Sequence, residues 1–264
     1  MQNKDTLYTS WQIQRRVIHA LIMREIITRY GRHNVGFVWL FAEPMMFTLG
    51  IMAMWSNGKF SHGGSTIPVA AFAITGYSAV LMWRNTATRC TKAVESNLAL
   101  MYHRNVKVFD IFLSRVILEV LATSISFILL TAVFSYFDFI AAPYDMFFLV
   151  VGWLLLAWFS LALGLLVGCI SEQSELFERV WHVVTYLLFP MSGAIFMADW
   201  LPPKFRSVVL WLPMVQGTEA IRHGFFGNLV QTHENLIYFF TINLVLTLIG
   251  LLLTQDVQRK VQPE

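Results

Sequence analysis

The sequence predicts an all-α integral membrane protein with six transmembrane helices, and three observations lead to that prediction: the composition, the apolar runs and the placement of basic residues. Hydrophobic residues make up 56% of the 264 residues and charged residues only 13%, whereas soluble domains average about 25% charged. A soluble chain of this size cannot hide so much apolar surface behind so few charges. Two cysteines exclude a disulfide-rich scaffold, and 22 Phe, 9 Trp and 8 Tyr exclude a disordered chain.

Six apolar runs have about the length that crosses a bilayer, since a spanning helix needs roughly 20 residues. None of them alternates apolar and polar residues, so helices are favoured over a β-barrel. A shorter apolar stretch, Ser207–Gln216, contains Pro213 and is predicted to be re-entrant or interfacial. The six predicted spans are 35–55, 67–83, 111–137, 146–170, 180–198 and 236–254.

The basic residues predict how these spans are oriented. An even number of spans puts both termini on one side, and fifteen of the 19 Lys and Arg residues fall on that side. The positive-inside rule therefore places both termini in the cytoplasm. The first 34 residues are polar and basic and lack the apolar core of a signal peptide. We expect one multi-pass domain over residues 1–264, with residues 1–34 as a cytoplasmic tail.

Within this tail, residues 11–30 are predicted to form an interfacial helix. Ile18, Ile22 and Ile26 form a ridge at helical spacing, but arginines interrupt the amphipathic pattern. One interpretation is a helix on the inner leaflet with arginines at the lipid phosphates. Packing against another cytoplasmic subunit has equal support. The arginines concerned are Arg15, Arg16, Arg24 and Arg29.

Residues 84–110 form a cytoplasmic connection that is long for a simple link between two spans. A short helix is predicted over residues 93–102, followed by a basic stretch at 103–107. A solvated loop does not need the apolar residues that this helix carries, so they are predicted to dock a partner. These residues are Leu98, Leu100, Met101 and Tyr102.

Ionisable residues in or near the membrane mark two further positions. Glu43 precedes Pro44 in the first predicted span, where it either has a function or forms an interhelical hydrogen bond at a kink. Residues 199–234 are predicted to form an outer re-entrant region of two short helices. Glu219 and Arg222 lie three apart there, at a spacing that allows them to pair on a helix.

The sequence carries no pattern typical of catalysis, of a metal site or of nucleic-acid binding. Gly58-Lys59-Phe60 is not a P-loop, because residue 53 is Ala and no Ser or Thr follows the lysine. No HExxH motif or Cys/His metal spacing is present, and no basic patch is combined with base-stacking aromatics. The energy for any work must therefore come from another protein.

Three stretches together resemble the membrane permeases of ABC-2 type transporters (the type V exporter fold), in particular the KpsM-like capsular polysaccharide exporters. The first is residues 24–44, at the entry to the first span. The second is residues 93–110, in the first cytoplasmic connection. The third is Leu210–Pro213 followed by Glu219 and Arg222. The six-helix layout is also similar, so the resemblance covers nearly the whole chain.

The resemblance implies a second copy of the chain and two cytoplasmic P-loop ATPase subunits, which would bind ATP and Mg²⁺, so that this chain needs no cofactor. Residues 84–110 would be the coupling loop and residues 11–30 the interface helix. The substrate would be a lipid-linked, often acidic polysaccharide, passed on to periplasmic and outer-membrane export proteins. The residues expected to couple to the ATPase are Glu95, Asn97, Leu98, Leu100, Tyr102, Arg104 and Lys107.

A conduit for a glycan is expected to offer aromatic faces and cationic groups. Aromatic residues in spans more often face lipid or pack in the core, and arginines at a cytoplasmic end more often serve as ordinary positive-inside anchors. Candidates for the conduit, with the basic ones at its cytoplasmic entrance, are Tyr77, Trp83, Arg84, Arg89, Tyr186 and Phe189.

Two alternatives to a capsule exporter stay open at this point. One is the same architecture exporting an O-antigen or a teichoic acid. The other is an intramembrane enzyme that acts on lipid-linked sugars, for which Glu43 would be the catalytic acid. Replacing Glu43 with Gln separates them, because an enzyme would lose its turnover whereas an exporter would keep ATP-dependent transport or fail to assemble.

Overall fold

The computed structural model describes residues 2–30, 34–56, 67–101 and 106–261. Side chains are described for all of these except 2–7, 29, 30, 34–37, 40 and 56. Two residues predicted to couple to an ATPase, Tyr102 and Arg104, lie outside the described residues. Arg29 belongs to a described helix, but its side chain is not described.

Within the described residues all regular secondary structure is helical, which confirms the predicted all-α class. Three 3-10 turns, Glu95–Asn97, Ala198–Trp200 and Gly227–Leu229, connect the longer elements. The helices are α1 Gln2–Tyr30, α2 Asn34–Ser56, α3 Val69–Cys90, α4 Leu98–Met101, α5 Val108–Tyr136, α6 Met146–Gln173, α7 Glu175–Met191, α8 Pro203–Val209, α9 Pro213–Phe226 and α10 Leu236–Val261.

Each predicted span corresponds to one helix, but the bounds differ at several ends. α3 continues to Cys90, seven residues past the end of its apolar run at Trp83, because helical hydrogen bonding extends into the polar residues that follow. α7 ends at Met191 rather than at residue 198, and Gly193 next to it has φ +81°. Only glycine adopts that backbone conformation at low cost, so the chain turns there.

Among the described residues, three helices are long and apolar enough to cross a membrane: α5, α6 and α10. The stretch Phe41–Trp55 in α2 is a shorter apolar helix. Large apolar side chains stay exposed on these helices, among them Ile128 of α5, Leu154 of α6 and Leu252 of α10. Surfaces of this kind are typical of contact with lipid or with another protein.

The main core surrounds α6, which packs against α3, α9 and α10. Leu156 of α6 and Phe239 of α10 are completely buried in it. α9 lies against both α3 and α6, and twelve of its fourteen residues are buried. Of the region predicted to be re-entrant, α9 is therefore packed into the body of the chain, whereas α8 keeps exposed apolar side chains such as Phe205 and Val208.

A second apolar cluster forms the end of the molecule that the sequence assigns to the cytoplasm. Leu21 of α1 is buried there beside Val94, Met101 and Val108. α1 also packs its ridge residues onto α5. The apolar face of α1 thus contacts its own chain, an arrangement that neither interpretation of the N-terminal sequence included.

Candidate functional site

The connection between α3 and α5, residues 91–107, is held in place by the end of α6. The backbone N–H of Lys92 donates to Ser171 Oγ at 3.1 Å, and that of Val94 donates to Glu172 Oε1 at 2.8 Å. Lys92 has φ +50°, a left-handed conformation that is uncommon for a residue with a side chain. The α6 end therefore fixes a strained turn at the start of this connection.

Arg115 of α5 joins this connection to α1 and α3. Its Nη1 donates to the Arg89 carbonyl oxygen at 2.6 Å, and its Nη2 donates to Ser96 Oγ at 2.9 Å. Its Nε lies 3.3 Å from Glu25 Oε1 of α1, and both side chains are largely buried. One guanidinium thus ties three elements to α5.

The residues predicted to couple to an ATPase divide into an exposed set and a buried one. Glu95, Leu98 and Lys107 are exposed, and Leu100 is half-buried. Lys92 Nζ donates a hydrogen bond to Glu95 Oε2 at 3.1 Å, and this bond raises the pKa of the lysine. Asn97 is buried and donates to the Ala93 carbonyl oxygen at 2.7 Å, so it shapes the connection from inside.

The predicted interfacial arginines also differ in environment. Arg15 and Arg16 are exposed on α1, where they are free to reach lipid phosphates. Arg24 is half-buried and its Nη1 donates to Asn97 Oδ1. Arg24 therefore binds the chain's own α3–α5 connection.

A polar groove of about 580 Å³ lies between this connection and the start of α7. It carries charges of both signs, with three carboxylates and two cations among its lining side chains. Such a groove suits the charged surface of a protein partner. Its lining residues are Lys92, Glu95, Ser96, Glu175, Glu178 and Arg179.

A second groove, which we call the α2–α3 groove, has a volume of about 640 Å³. Among its lining residues, Arg84 places its Cζ 5.0 Å from the ring centre of Tyr186 and 5.8 Å from that of Phe189. Three of the predicted conduit residues therefore meet beside this groove. Its lining residues are Glu43, Pro44, Met46, Phe47, Leu81, Arg84, Asn85, Thr88 and Arg89.

Glu43 lies at one end of this groove, in a chain of charges. Arg89 Nη2 lies 3.9 Å from Glu43 Oε1, and Arg89 Nε lies 3.5 Å from Glu119 Oε1. Glu43 is half-exposed and close to the last turn of α3. Its contact with Arg89 links α2 to α3 at ion-pair distance, which is longer than the interhelical hydrogen bond of the structural interpretation.

Tyr77 belongs to a column of aromatic rings that runs from the α2–α3 groove toward the other end of α3. Its ring centre lies 5.5 Å from that of Phe189 and 5.3 Å from that of Trp55. Trp55 contacts Phe72, which stacks on Trp200 at 5.2 Å. The column connects α2, α3, α7 and the segment before α8.

Trp83 is completely buried in the main core, although it too was a candidate for the conduit. Tyr186, in contrast, has 68% of its surface exposed. Aromatic residues of neighbouring helices therefore have opposite environments.

Arg222 Nη1 of α9 lies 3.9 Å from Glu219 Oε1 of the same helix, and both side chains are almost completely buried. Arg222 Nη1 donates to the Phe196 carbonyl oxygen at 2.6 Å, and its Cζ lies 4.2 Å from the ring centre of Phe72. Glu219 Oε1 accepts from the Ala198 N–H at 3.2 Å. The pair binds α9 to α3 and to the segment that follows α7.

Sequence reasoning missed two groups that the structure brings together. Glu25 and Arg115 contribute to one junction, although they lie 90 residues apart. In the 3-10 turn before α8, Asp199 pairs with Arg206 at 3.2 Å and with His233 at 3.1 Å. Neither group has a local spacing signal. In the described part of the chain, no three His, Cys, Asp or Glu residues cluster in a way that could hold a metal ion.

Comparison with known proteins places the chain in a family. The model of the ABC-2 type transporter family matches residues 16–226. The capsule polysaccharide export inner-membrane protein BexB of Haemophilus influenzae is 44% identical over 99% of this chain and 98% of that protein. The capsule polysaccharide export inner-membrane protein CtrC of Neisseria meningitidis serogroup B is 45% identical with the same coverage. The polysialic acid transport protein KpsM of Escherichia coli is 26% identical over 93% of this chain and 95% of that protein. The chain belongs to the ABC-2 type transporter family.

Proposed function

We propose that this chain is the membrane-spanning permease subunit of an ATP-driven exporter of capsular polysaccharide. The observation that carries the proposal is the likeness, over nearly the full length of both chains, to two proteins named for capsule polysaccharide export. The chain is a transport subunit rather than an enzyme, and it works in the bacterial inner membrane.

ATP hydrolysis is the task of two cytoplasmic ATPase subunits, which bind ATP and Mg²⁺. The α3–α5 connection is their docking segment, because Glu95, Leu98 and Lys107 are exposed on it. The polar groove beside it, with Glu175 and Arg179, extends the docking surface to the start of α7. The absence of a P-loop from the sequence fits this division of labour.

In the membrane, α2, α3, α5, α6, α7 and α10 are the six spans, and both termini lie in the cytoplasm. The apolar length of α5, α6 and α10 supports this arrangement, as does the unequal placement of basic residues. α1 lies along the inner leaflet, with Arg15 and Arg16 at the lipid phosphates. Residues 199–234 form the re-entrant region on the outer side of the membrane, between the last two spans.

Two copies of the chain enclose a conduit for a lipid-linked, acidic polysaccharide. The α2–α3 groove and the rings of Tyr77, Tyr186 and Phe189 face it, and Arg84 and Arg89 stand at its cytoplasmic entrance. Trp83 is left out because it is buried in the core. Periplasmic and outer-membrane export proteins receive the polymer.

The proposal is tested by purifying the chain from its native membrane in mild detergent, with a tag at the C-terminus. We expect a P-loop ATPase to co-purify at a one-to-one ratio. Cells that lack the chain should keep finished polysaccharide inside the cytoplasm. Purification without an ATPase, or normal surface polysaccharide in those cells, would refute the proposal.

The docking segment is tested with Lys107→Glu, which reverses a charge on the exposed part of the α3–α5 connection. We expect less ATPase to co-purify. Lys204→Glu is the matched control, because Lys204 is an exposed lysine on α8, at the opposite side of the proposed layout. Equal loss of the ATPase with both variants would rule out a specific role for Lys107.

A further inference from the structure

The two arginines that line the α2–α3 groove, Arg84 and Arg89, have different surroundings. In the described part of the chain, no carboxylate lies within ion-pair distance of Arg84, whose guanidinium instead lies over the rings of Tyr186 and Phe189. Arg89 is different, because Glu43 and Glu119 both contact it. Among the described residues, carboxylates thus neutralise Arg89 but not Arg84.

Two further donors lie on the same face of α3. Asn85 and Thr88 line the groove with Arg84 and are half-buried. Residues 84 and 88 are one helical turn apart, and 85 and 88 are also neighbours on the helix surface. Within the described residues, neither the Asn85 amide nor the Thr88 hydroxyl has a hydrogen-bond partner, although both point at the same groove. A guanidinium, an amide and a hydroxyl are therefore available together.

This combination suits an oxyanion. A guanidinium presents planar N–H donors that match carboxylate and phosphate oxygens, and the amide and hydroxyl can satisfy the remaining lone pairs. The groove lining carries two arginines and one carboxylate, so it is not repulsive to an anion overall. The aromatic rings beside Arg84 offer apolar faces to a sugar.

We propose that Arg84, Asn85 and Thr88 form a binding site for the phosphate or carboxylate group of the exported glycolipid, with Tyr186 and Phe189 beside its sugar. The site rests on the proposed export function and gives its substrate a defined anionic contact. It distinguishes Arg84, which binds the substrate anion, from Arg89, which holds α2, α3 and α5 together. The proposal therefore assigns different roles to two arginines only five residues apart.

The test uses the full exporter in its own cells, with surface and cytoplasmic polysaccharide measured separately. We expect Arg84→Gln to lower export by roughly tenfold or more, the size expected from loss of a charge-assisted hydrogen bond. Arg84→Lys should keep part of the export, because the charge remains. Arg259→Gln is the control: it removes an exposed arginine near the cytoplasmic end of α10, outside the groove.

A second variant tests the site independently, in case Arg84→Gln fails to fold. Asn85→Asp keeps the size of the side chain and places a carboxylate beside Arg84, so it should also reduce export while the ATPase still co-purifies. Export at the wild-type level in both variants overturns the site but leaves the export function standing. A wild-type chain that exports nothing refutes the function itself.

The anion could instead come from ordinary membrane phospholipid, and a further arm separates the two sources. The purified permease–ATPase complex is placed in nanodiscs of phosphatidylcholine, with or without phosphatidylglycerol, and its ATPase rate is measured. We expect the response to phosphatidylglycerol to be the same in wild type and Arg84→Gln. A response that disappears in Arg84→Gln assigns the site to a phospholipid headgroup and overturns its assignment to the substrate.

Discussion

At the scale of single residues, the packing of Arg222 depends on a glycine in the neighbouring helix. A Cβ atom on Gly76 of α3 would lie 2.7 Å from Arg222 Nη2 and 2.8 Å from the Ala194 carbonyl oxygen. Arg222 Nη2 itself donates to that carbonyl oxygen at 3.3 Å. The absence of a side chain at residue 76 therefore leaves the space in which α3, α9 and the segment after α7 pack together.

Gly76→Ala is expected to destabilise the protein by about 1–3 kcal/mol, as overpacking of a close contact does. The Ala194 backbone cannot move aside without disturbing its bond to Arg222. The measurement is thermal unfolding in detergent. Gly50→Ala is the matched control, because nothing lies within 4 Å of a Cβ at Gly50 and alanine favours the helix. Equal midpoints for the two variants would contradict the close contact.

Glu219→Ala should lower the free energy of unfolding by more than an average substitution does, because it leaves Arg222 buried without its counter-charge. Breaking a buried ion pair on one side costs about 3–5 kcal/mol. The backbone N–H groups of Ala198 and His233 also lose their acceptor. The thermal unfolding midpoint of Glu219→Ala should fall well below that of Lys204→Ala, which removes an exposed side chain. A shift no larger than that of Lys204→Ala would show that the pair contributes no stability.

At the scale of elements, Arg115 joins α1, the end of α3 and the α3–α5 connection to α5 at one junction. It contacts Glu25, the Arg89 carbonyl oxygen and Ser96 at 2.6–3.3 Å. We therefore expect this junction to transmit a displacement of the proposed docking segment to α5 and to α1.

Arg115→Ala is expected to leave ATP hydrolysis by the complex largely intact while export falls several-fold, because the docking segment then moves without α5. The measurement is the amount of polymer exported per ATP hydrolysed. Arg115→Lys should keep part of the ratio, because it retains a charged donor for the acceptors at this junction. His19→Ala, an exposed change on α1, is the control. A ratio unchanged in Arg115→Ala would refute transmission through this junction.

The sequence predicted where helices lie better than what their faces contact. Apolar runs mark α2, α5, α6 and α10 because burial in lipid or core requires them along the whole length. The contact between Arg24 and Asn97 was not predictable, since these residues are 73 positions apart and neither lies in a distinctive pattern. Polar residues such as Arg24 interrupt the apolar face of α1 because they bind polar groups of the same chain.

At the scale of the whole molecule, residue type alone did not separate conduit candidates from core. Trp83 and Tyr186 are both large aromatics in apolar helices, yet one is completely buried and the other is 68% exposed. The difference depends on which neighbours each helix has, and this is set by long-range packing. Among the described residues, α7 packs mainly against α6 and α3 and leaves large apolar side chains such as Tyr186 and Leu187 exposed.

The proposed six-span layout predicts which side of the membrane each exposed residue reaches. Cys90 and Cys169 are both buried and should give little background with a membrane-impermeant maleimide. Cysteines at exposed positions then report their side: Lys204→Cys on α8, and Gln12→Cys and Lys260→Cys near the two ends. We expect Lys204→Cys to react in intact spheroplasts and the other two only after lysis, because the positive-inside rule predicts that both ends are cytoplasmic. Reaction of only one end before lysis would require an odd number of spans, and the reverse pattern would invert the orientation.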